Sequence, residues 1–188
     1  MRFAPSREFS NRITRQGRII GPTHPEFGCQ MILANANDDA SAAWITASSP
    51  LAVPFTLSEP ATVTHLWWRN GTAPGSNHDV GIYRTDWSRV ISAGSTVGSG
   101  TASFVQAVDV TDTPIPAGHY YLVRVVDATT ANRVGAYQHN ASIHLMNLMG
   151  CKQSATASIP LPDPLVGMGD VTTHTRVNPA GFYVKAPL

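Results

Sequence analysis

Charged side chains are scarce in this sequence. They make up 13% of it, against roughly 25% in an ordinary soluble domain, and Ala, Thr, Ser and Gly take their place. Two readings follow: a β-rich protein with neutral polar strands, or a protein whose surface is largely covered by other subunits. Cysteine is almost missing as well. Cys29 and Cys151 alone do not make a disulfide framework. The first residues, with Pro5, Ser6, Arg7 and Glu8, lack the apolar stretch of a secretory signal, so both thiols are expected to be reduced. For the same reason Asn70-Gly71-Thr72 and Asn140-Ala141-Ser142 are expected to stay unglycosylated although they fit the acceptor pattern. No apolar run approaches the length of a membrane span, and no stretch keeps a helical period for long.

Signatures of catalysis are equally thin. The run nearest to a nucleophile elbow, Gly94-Ser95-Thr96-Val97-Gly98, has its serine one place too early, and there is no Gly-x-x-x-x-Gly-Lys phosphate loop. The seven histidines do not cluster. His139 and His144 are five apart, which suits neither one face of a strand nor one face of a helix. Asn35-Ala36-Asn37-Asp38-Asp39 opens like a calcium loop, but Ala40 stands where glycine is needed and Thr46 where an acid is needed. A turn rich in Asx residues is the better reading. A non-enzymatic protein without cofactor or metal is expected.

What the chain does have is short β-branched and aromatic runs bounded by Gly, Pro, Asn and Ser, the pattern of antiparallel strands joined by turns. The clearest lie between residues 61 and 126: strands at 61–69, 78–84, 103–110 and 116–126, with a further one at 89–97 that ends in the Gly/Ser-rich residues 94–100. Weaker strands are expected at 30–34, 43–47 and 51–57, placed at sheet edges because Pro50, Pro54 and Pro60 cannot donate to a ladder. Residues 133–138 read as another strand, whereas 142–149 is apolar all round and leaves strand or helix open. With strands at this density and no alternating helices, the fold class is all-β: an antiparallel sandwich over residues 29–150. Its expected interior is Val80, Ile82, Phe104, Val108, Tyr121, Val123 and Val125. Tyr120, Leu122 and Val126 share the opposite face of their strand with Arg124, so both faces of that strand are expected to be covered.

Extended arms flank the sandwich. Residues 1–28 hold five arginines against two acids, a net +3; residues 29–150 hold five against eight, a net −3; the Pro-rich residues 151–188 hold three against two, a net +1. The basic arm also carries large apolar groups, so Arg2, Phe3, Arg7, Phe9, Arg12, Ile13, Arg15, Arg18, Ile19 and Ile20 are candidate interface residues. Their alternative is a solvated tail. The arginines could neutralise phosphates, but no nucleic-acid module accompanies them. The acidic body of a neighbouring copy is the better partner. Trp67, Trp68, Trp87 and Tyr120 are candidates for a carbohydrate-binding platform, weighed against packing in a core or interface. Neighbouring tryptophans on a strand point to opposite faces, so at most one of Trp67 and Trp68 joins Val80 inside.

The middle of the chain resembles a domain of structural proteins of tailed bacteriophages. The resemblance rests on Pro54-Phe55-Thr56-Leu57, on the run from Ala61 through His65-Leu66-Trp67-Trp68-Arg69-Asn70-Gly71, and on Gly75-Ser76-Asn77-His78-Asp79-Val80-Gly81-Ile82-Tyr83. It continues through Gly94-Ser95-Thr96, Val108-Asp109-Val110-Thr111-Asp112 and Pro116-Ala117-Gly118-His119-Tyr120-Tyr121-Leu122. It spans roughly residues 50 to 138, leaves out both arms, and carries no functional residue across. It implies a jelly-roll-like sandwich built into a virion, with other virion proteins and copies of the same chain as partners and no membrane. The same pattern is similar to carbohydrate-binding sandwich modules, which makes attachment to host-surface glycan the rival expectation.

Overall fold

A strand with two apolar rows needs cover on both faces, and the fold is arranged around one such strand. The computed structural model describes residues 40–42, 44, 46–100, 104–130, 134–136, 143–156, 158–174 and 180–185. Strand β8 (Gly118–Val126) lies between β2 (Leu51–Leu57) and β4 (Asn77–Arg84), antiparallel to both. Its register runs from Leu51 opposite Arg124 to Leu57 opposite Gly118 on one side, and from His78 opposite Val126 to Arg84 opposite Tyr120 on the other. This trio is the centre of a seven-stranded sheet. Beyond β4 come β5 (Arg89–Ser92) and β6 (Thr96–Val97); beyond β2 come β10 (Lys152–Ser154) and β11 (Met168–Asp170). A three-stranded sheet of β12 (Ala180–Lys185), β3 (Ala61–Arg69) and β7 (Val105–Ile115) packs against it, with β3 in the middle. A separate pair joins β1 (Ala40–Ala42) to β9 (Val134–Ala136). The architecture is the antiparallel β-sandwich that the strand pattern implied.

The core between the sheets is filled by Phe55 and Leu57, Val63, Leu66 and Trp68, Val80 and Ile82, Ile115, Tyr120 and Leu122, and Phe182. Each fully buried Leu, Ile or Phe contributes roughly 1.5–3 kcal/mol over leaving it in water. Val80 and Ile82 are inside as expected, and Val108 packs half-buried against them. Tyr121, Val123 and Val125 are covered, but on the other side. They pack with Ala52, Tyr83, Leu161 and Leu165 on the outer face of the large sheet. Alternation sorts a strand's residues into two sets; it does not say which set meets the second sheet when both are apolar. Phe104 is not interior at all. It precedes β7 and is 66% exposed.

The described part of the Pro-rich residues 151–188 lies on this same molecule. Strands β10 and β11 lengthen one sheet, and β12 closes an edge of the other. Between them, residues 158–168 form a strap over the outer row of β8. Proline explains the form, since it removes donors and discourages a regular ladder while leaving carbonyls and side chains to bind. The edge placement of β2 holds only over part of its length: β10 pairs with Leu51 and Ala52 alone, and Pro54 lies past that pairing. Residues 46–48 form a turn with Ser48 at φ 57°, not part of a strand. The single stretch 89–97 is split into β5 and β6 at Gly94, whose φ of 71° suits glycine. Residues 142–149 resolve as a short helix, α1 (Ile143–Leu148). The expected strand at 30–34, the Asx-rich turn at 35–39 and Cys29 lie outside the described residues. Among the described residues, no helix is long and apolar enough to cross a membrane.

Cys151 is free and buried, and burial pushes its thiol up to about 11. A thiol at that value is almost wholly protonated at neutral pH and a poor nucleophile. Cys151 should therefore resist a maleimide in the folded chain and react once urea has unfolded it, as mass spectrometry of the labelled peptide will show.

Candidate functional site

The candidate arm residues, Arg2 through Ile20, lie outside the described residues. Of the four aromatic candidates, three are shut away. Trp68 is fully buried between the sheets, and Tyr120 is buried in the same core with its hydroxyl donating to Pro116 O at 2.9 Å. Trp67 points to the outer face of the small sheet, as strand alternation requires, yet it is buried too. Its indole lies across Gly181, the residue opposite it on β12; a Cβ there would sit 2.6 Å from the ring carbon Cζ2. These three do not present a ring face to a sugar.

Trp87 is the exception. It is half-buried in the turn Asp86-Trp87-Ser88 and stacks on Tyr121, with centroids 4.4 Å apart and planes 27° apart. Its φ of 67° is rare for a bulky residue. The turn holds that conformation through Trp87 N–H to Arg84 O (3.0 Å), Leu165 N–H to Trp87 O (3.0 Å) and Ser88 N–H to Asp86 Oδ1 (2.9 Å). Tyr121 is missing from the platform candidates because its alternation with Val123 and Val125 reads as core.

Most of the polar chemistry is buried. His78 stacks on Trp68, centroids 5.1 Å apart and planes within 6°. Arg124 Nη2 donates to His78 Nδ1 at 3.2 Å and to Arg69 O at 3.4 Å. The guanidinium lies over the Trp44 ring, 5.8 Å from its centroid, a cation–π placement. Trp44 in turn meets His174, 4.8 Å away. The result is a continuous line Trp68–His78–Arg124–Trp44–His174 inside the molecule. Arg124 can donate to His78 only if that ring is neutral with Nδ1 as acceptor. Burial, then the Arg124 charge, brings His78 down to about 3. Burial brings His174 down to about 4, opposed only in part by the Ser49 backbone. Burial also lowers Arg124 to about 9, which leaves it a cation at neutral pH.

A second buried polar group ties the strap down. Asp79 accepts from Ser92 Oγ (2.8 and 3.0 Å) and from Leu161 N–H (2.8 Å), and burial raises its carboxyl above the ordinary range. Tyr83 OH donates to Pro162 O, Arg89 Nη1 to Leu161 O (2.7 Å), and Arg89 N–H to Asp163 Oδ1 (2.9 Å). Nothing in the sequence separates Asp79 from an exposed strand acid except its neighbours His78 and Val80. The Asn70 acceptor pattern is fully engaged: Asn70 is buried, takes a bond from Trp68 Nε1 (3.0 Å), and donates to Ser99 O (2.7 Å) and Gln106 Oε1 (3.1 Å). On the outer face of the small sheet, Tyr183, His65 and Asp109 lie in register across three strands, with His65 Nε2 3.8 Å from Asp109 Oδ1. Both partners are exposed to solvent, so the pair contributes little. Among the described residues no three of His, Cys, Asp and Glu converge on a metal position.

Comparison with protein-family models, with curated proteins and with solved structures finds no match.

Proposed function

We propose that the chain is a non-enzymatic structural protein of a tailed-phage particle, assembling through its sandwich and its basic arm with copies of itself and other virion proteins. One observation carries the reading. The residues that bear the resemblance fall on consecutive parts of a single sandwich: the end of β2, β3 and its loop, β4, the Gly94 turn, β7 and β8. Asp79, Asn70 and Gln153, buried in that body, bond to neighbouring side chains and to the backbone, which stiffens it. The sparse charge of the sequence suits a surface that other subunits cover. Its arm has arginines for carboxylates and apolar groups for affinity. Deleting residues 1–20 should leave the thermal transition of the sandwich nearly intact and abolish incorporation into particles. Replacing the five arginines by glutamine should weaken incorporation less, and in a salt-dependent way. Normal incorporation of the deletion variant would end the assembly role of the arm, and absence of the chain from purified particles would end the reading.

The half-buried Trp87–Tyr121 stack supports a second reading, attachment to host-surface glycan. Aromatic faces of this kind pack against the apolar side of sugar rings. Glycan-array binding that is lost in Trp87→Ala would favour it; binding unchanged by that substitution, or no binding, would remove it.

A further inference from the structure

The inner face of β8 carries Tyr120, Leu122, Arg124 and Val126 in one row, and two different covers close it. The small sheet covers Tyr120 and Leu122. At the other end Val126, with Leu51 and Val53 of β2, packs with Trp44, Met146 of α1, Cys151 and Val171. None of these last four lies on a strand. Side-chain amides hold this second cover where a ladder would otherwise do so. Asn147 Oδ1 accepts from Val171 N–H at 2.7 Å, and its Nδ2 donates to Val171 O at 3.0 Å. Gln153 Oε1 accepts from the N–H groups of Thr172 and Thr173, both at 3.2 Å, and Trp44 Nε1 donates to Ser49 O at 3.2 Å. A cover fastened in this way opens at a lower free energy than the paired strands beneath it.

His174 is fully buried in this cover, its ring 4.8 Å from that of Trp44. The Ser49 backbone approaches the ring, and among the described residues no carboxylate bonds it. The charge on its β8 side is Arg124, whose guanidinium lies over the same Trp44 ring, 5.8 Å from the centroid. Beyond Arg124 stands His78 of β4. Asp127, at the end of β8, accepts from Asn77 N–H at 3.0 Å. Lys152 of β10 and Asp170 of β11 pair with each other at 2.7 Å. His144 of α1 is exposed, and Cys151 is a buried thiol. A proton on His174 would therefore set a second cation against an indole that already carries one.

We propose that this cover is an acid-released flap: protonation of His174 frees Trp44, α1 and residues 171–174 from β2 and β8 while the two sheets stay packed. It hides Leu51, Val53 and Val126 at neutral pH and uncovers them in acid. The sign follows from where the ring gains its proton. The open form binds one near the ordinary value of 6.5 and the closed form only near about 4, so opening becomes about tenfold easier per pH unit between the two. His78 is placed differently. It is stacked on Trp68 of the sandwich core, so the packing of the sheets, not the flap, resists its proton.

Cys151 reports the flap, because its thiol is buried in the same cluster. The full chain is labelled with dithiodipyridine, which stays reactive in acid. The rate is read at the Cys151 peptide by mass spectrometry and normalised to the urea-unfolded chain at each pH. It should rise by more than about tenfold from about pH 7 to about pH 5. Hydrogen exchange at the lower pH should still find the amides of Leu66 and Val80 protected. His174→Gln and His174→Phe, which cannot take up the proton, should each flatten the pH dependence whatever they do to the rate at neutral pH. His78→Asn should leave it in place. Labelling that does not change with pH overturns the inference. So does a rise that persists in either folded His174 variant, or one that is lost in His78→Asn. A rise that comes only with loss of protection at Leu66 and Val80 overturns it as well, since the opening is then that of the whole domain.

Discussion

Acidification from about pH 7 to about pH 4.5 should remove about 5 kcal/mol of stability, comparable to the whole of a marginal domain's. The cause is the pair of buried histidines. In the unfolded chain each takes up a proton near the ordinary value of 6.5, while in the fold His78 is held down to about 3 and His174 to about 4. Below that ordinary value the unfolded state binds more protons than the folded one. Each histidine therefore costs about 1.4 kcal/mol per pH unit until the folded ring itself titrates. The stability they confer is complete at neutral pH and declines as pH falls. Asp79 acts in the opposite sense, since its raised folded value favours the fold as carboxyls protonate; it tempers the loss at the bottom of the range. Arg124, the charge facing His78, stays a cation throughout and opposes a second positive charge. Urea midpoints measured across this range should fall steadily, and His78→Asn should roughly halve the slope whatever it does to stability at neutral pH. A flat profile would mean that these rings are not buried and neutral.

The second large effect is expected at Asp79, where two substitutions should part company. Asp79→Ala removes the acceptor for the buried Leu161 N–H and the half-buried Ser92 Oγ. Leaving a buried donor unsatisfied costs about 1–3 kcal/mol, so a loss of about 2–3 kcal/mol is expected. Asp79→Asn keeps the shape and one oxygen, and it removes a charge whose burial is itself unfavourable. That variant should stay within about 1 kcal/mol of the parent. Chemical denaturation gives both values, and hydrogen exchange gives the location. In the alanine variant the amides of Leu161 and Leu165 should lose protection before those of β3 and β4. Equal losses in both variants would show that charge, not hydrogen bonding, fastens the strap.

The first three strands of the body were legible because β-branched runs between turn residues carry their own period, whereas β7 runs on to Ile115 past the 103–110 that the pattern marked. Leu51–Leu57, Ala61–Arg69 and Asn77–Arg84 fall within a residue of where the pattern put them. The identity of the core face was not legible. In β8 the rows Tyr121-Val123-Val125 and Tyr120-Leu122-Val126 are both apolar, and only the strap, more than thirty residues downstream, decides which is outermost. The strap itself was hidden for a related reason. Leu161 and Leu165 stand among prolines without a period, and their burial depends on long-range bonds to Asp79, Tyr83 and Arg89. Candidate sites fared similarly. A tryptophan reads the same whether it faces a sugar or a glycine, and Gly181, which makes room for Trp67, lies more than a hundred residues away.

That distance has a consequence for how the chain is made. Phe182 pairs with Leu66, and Gln153 with Leu51, so the large sheet lacks strands until residue 170 has left the ribosome and the small sheet until residue 185 has. Until then Ala52, Tyr83, Val123 and Val125 have no cover, and β3 has an unpaired flank, the kind of exposed apolar row and open edge that aggregates or recruits chaperones. A chain stopped short of Leu161 is therefore a different object from a finished one and is distinguishable by its surface alone. Closure of β8 is thus left to the strands and strap made after it, and its outer row stays open until Leu161 and Leu165 are in place.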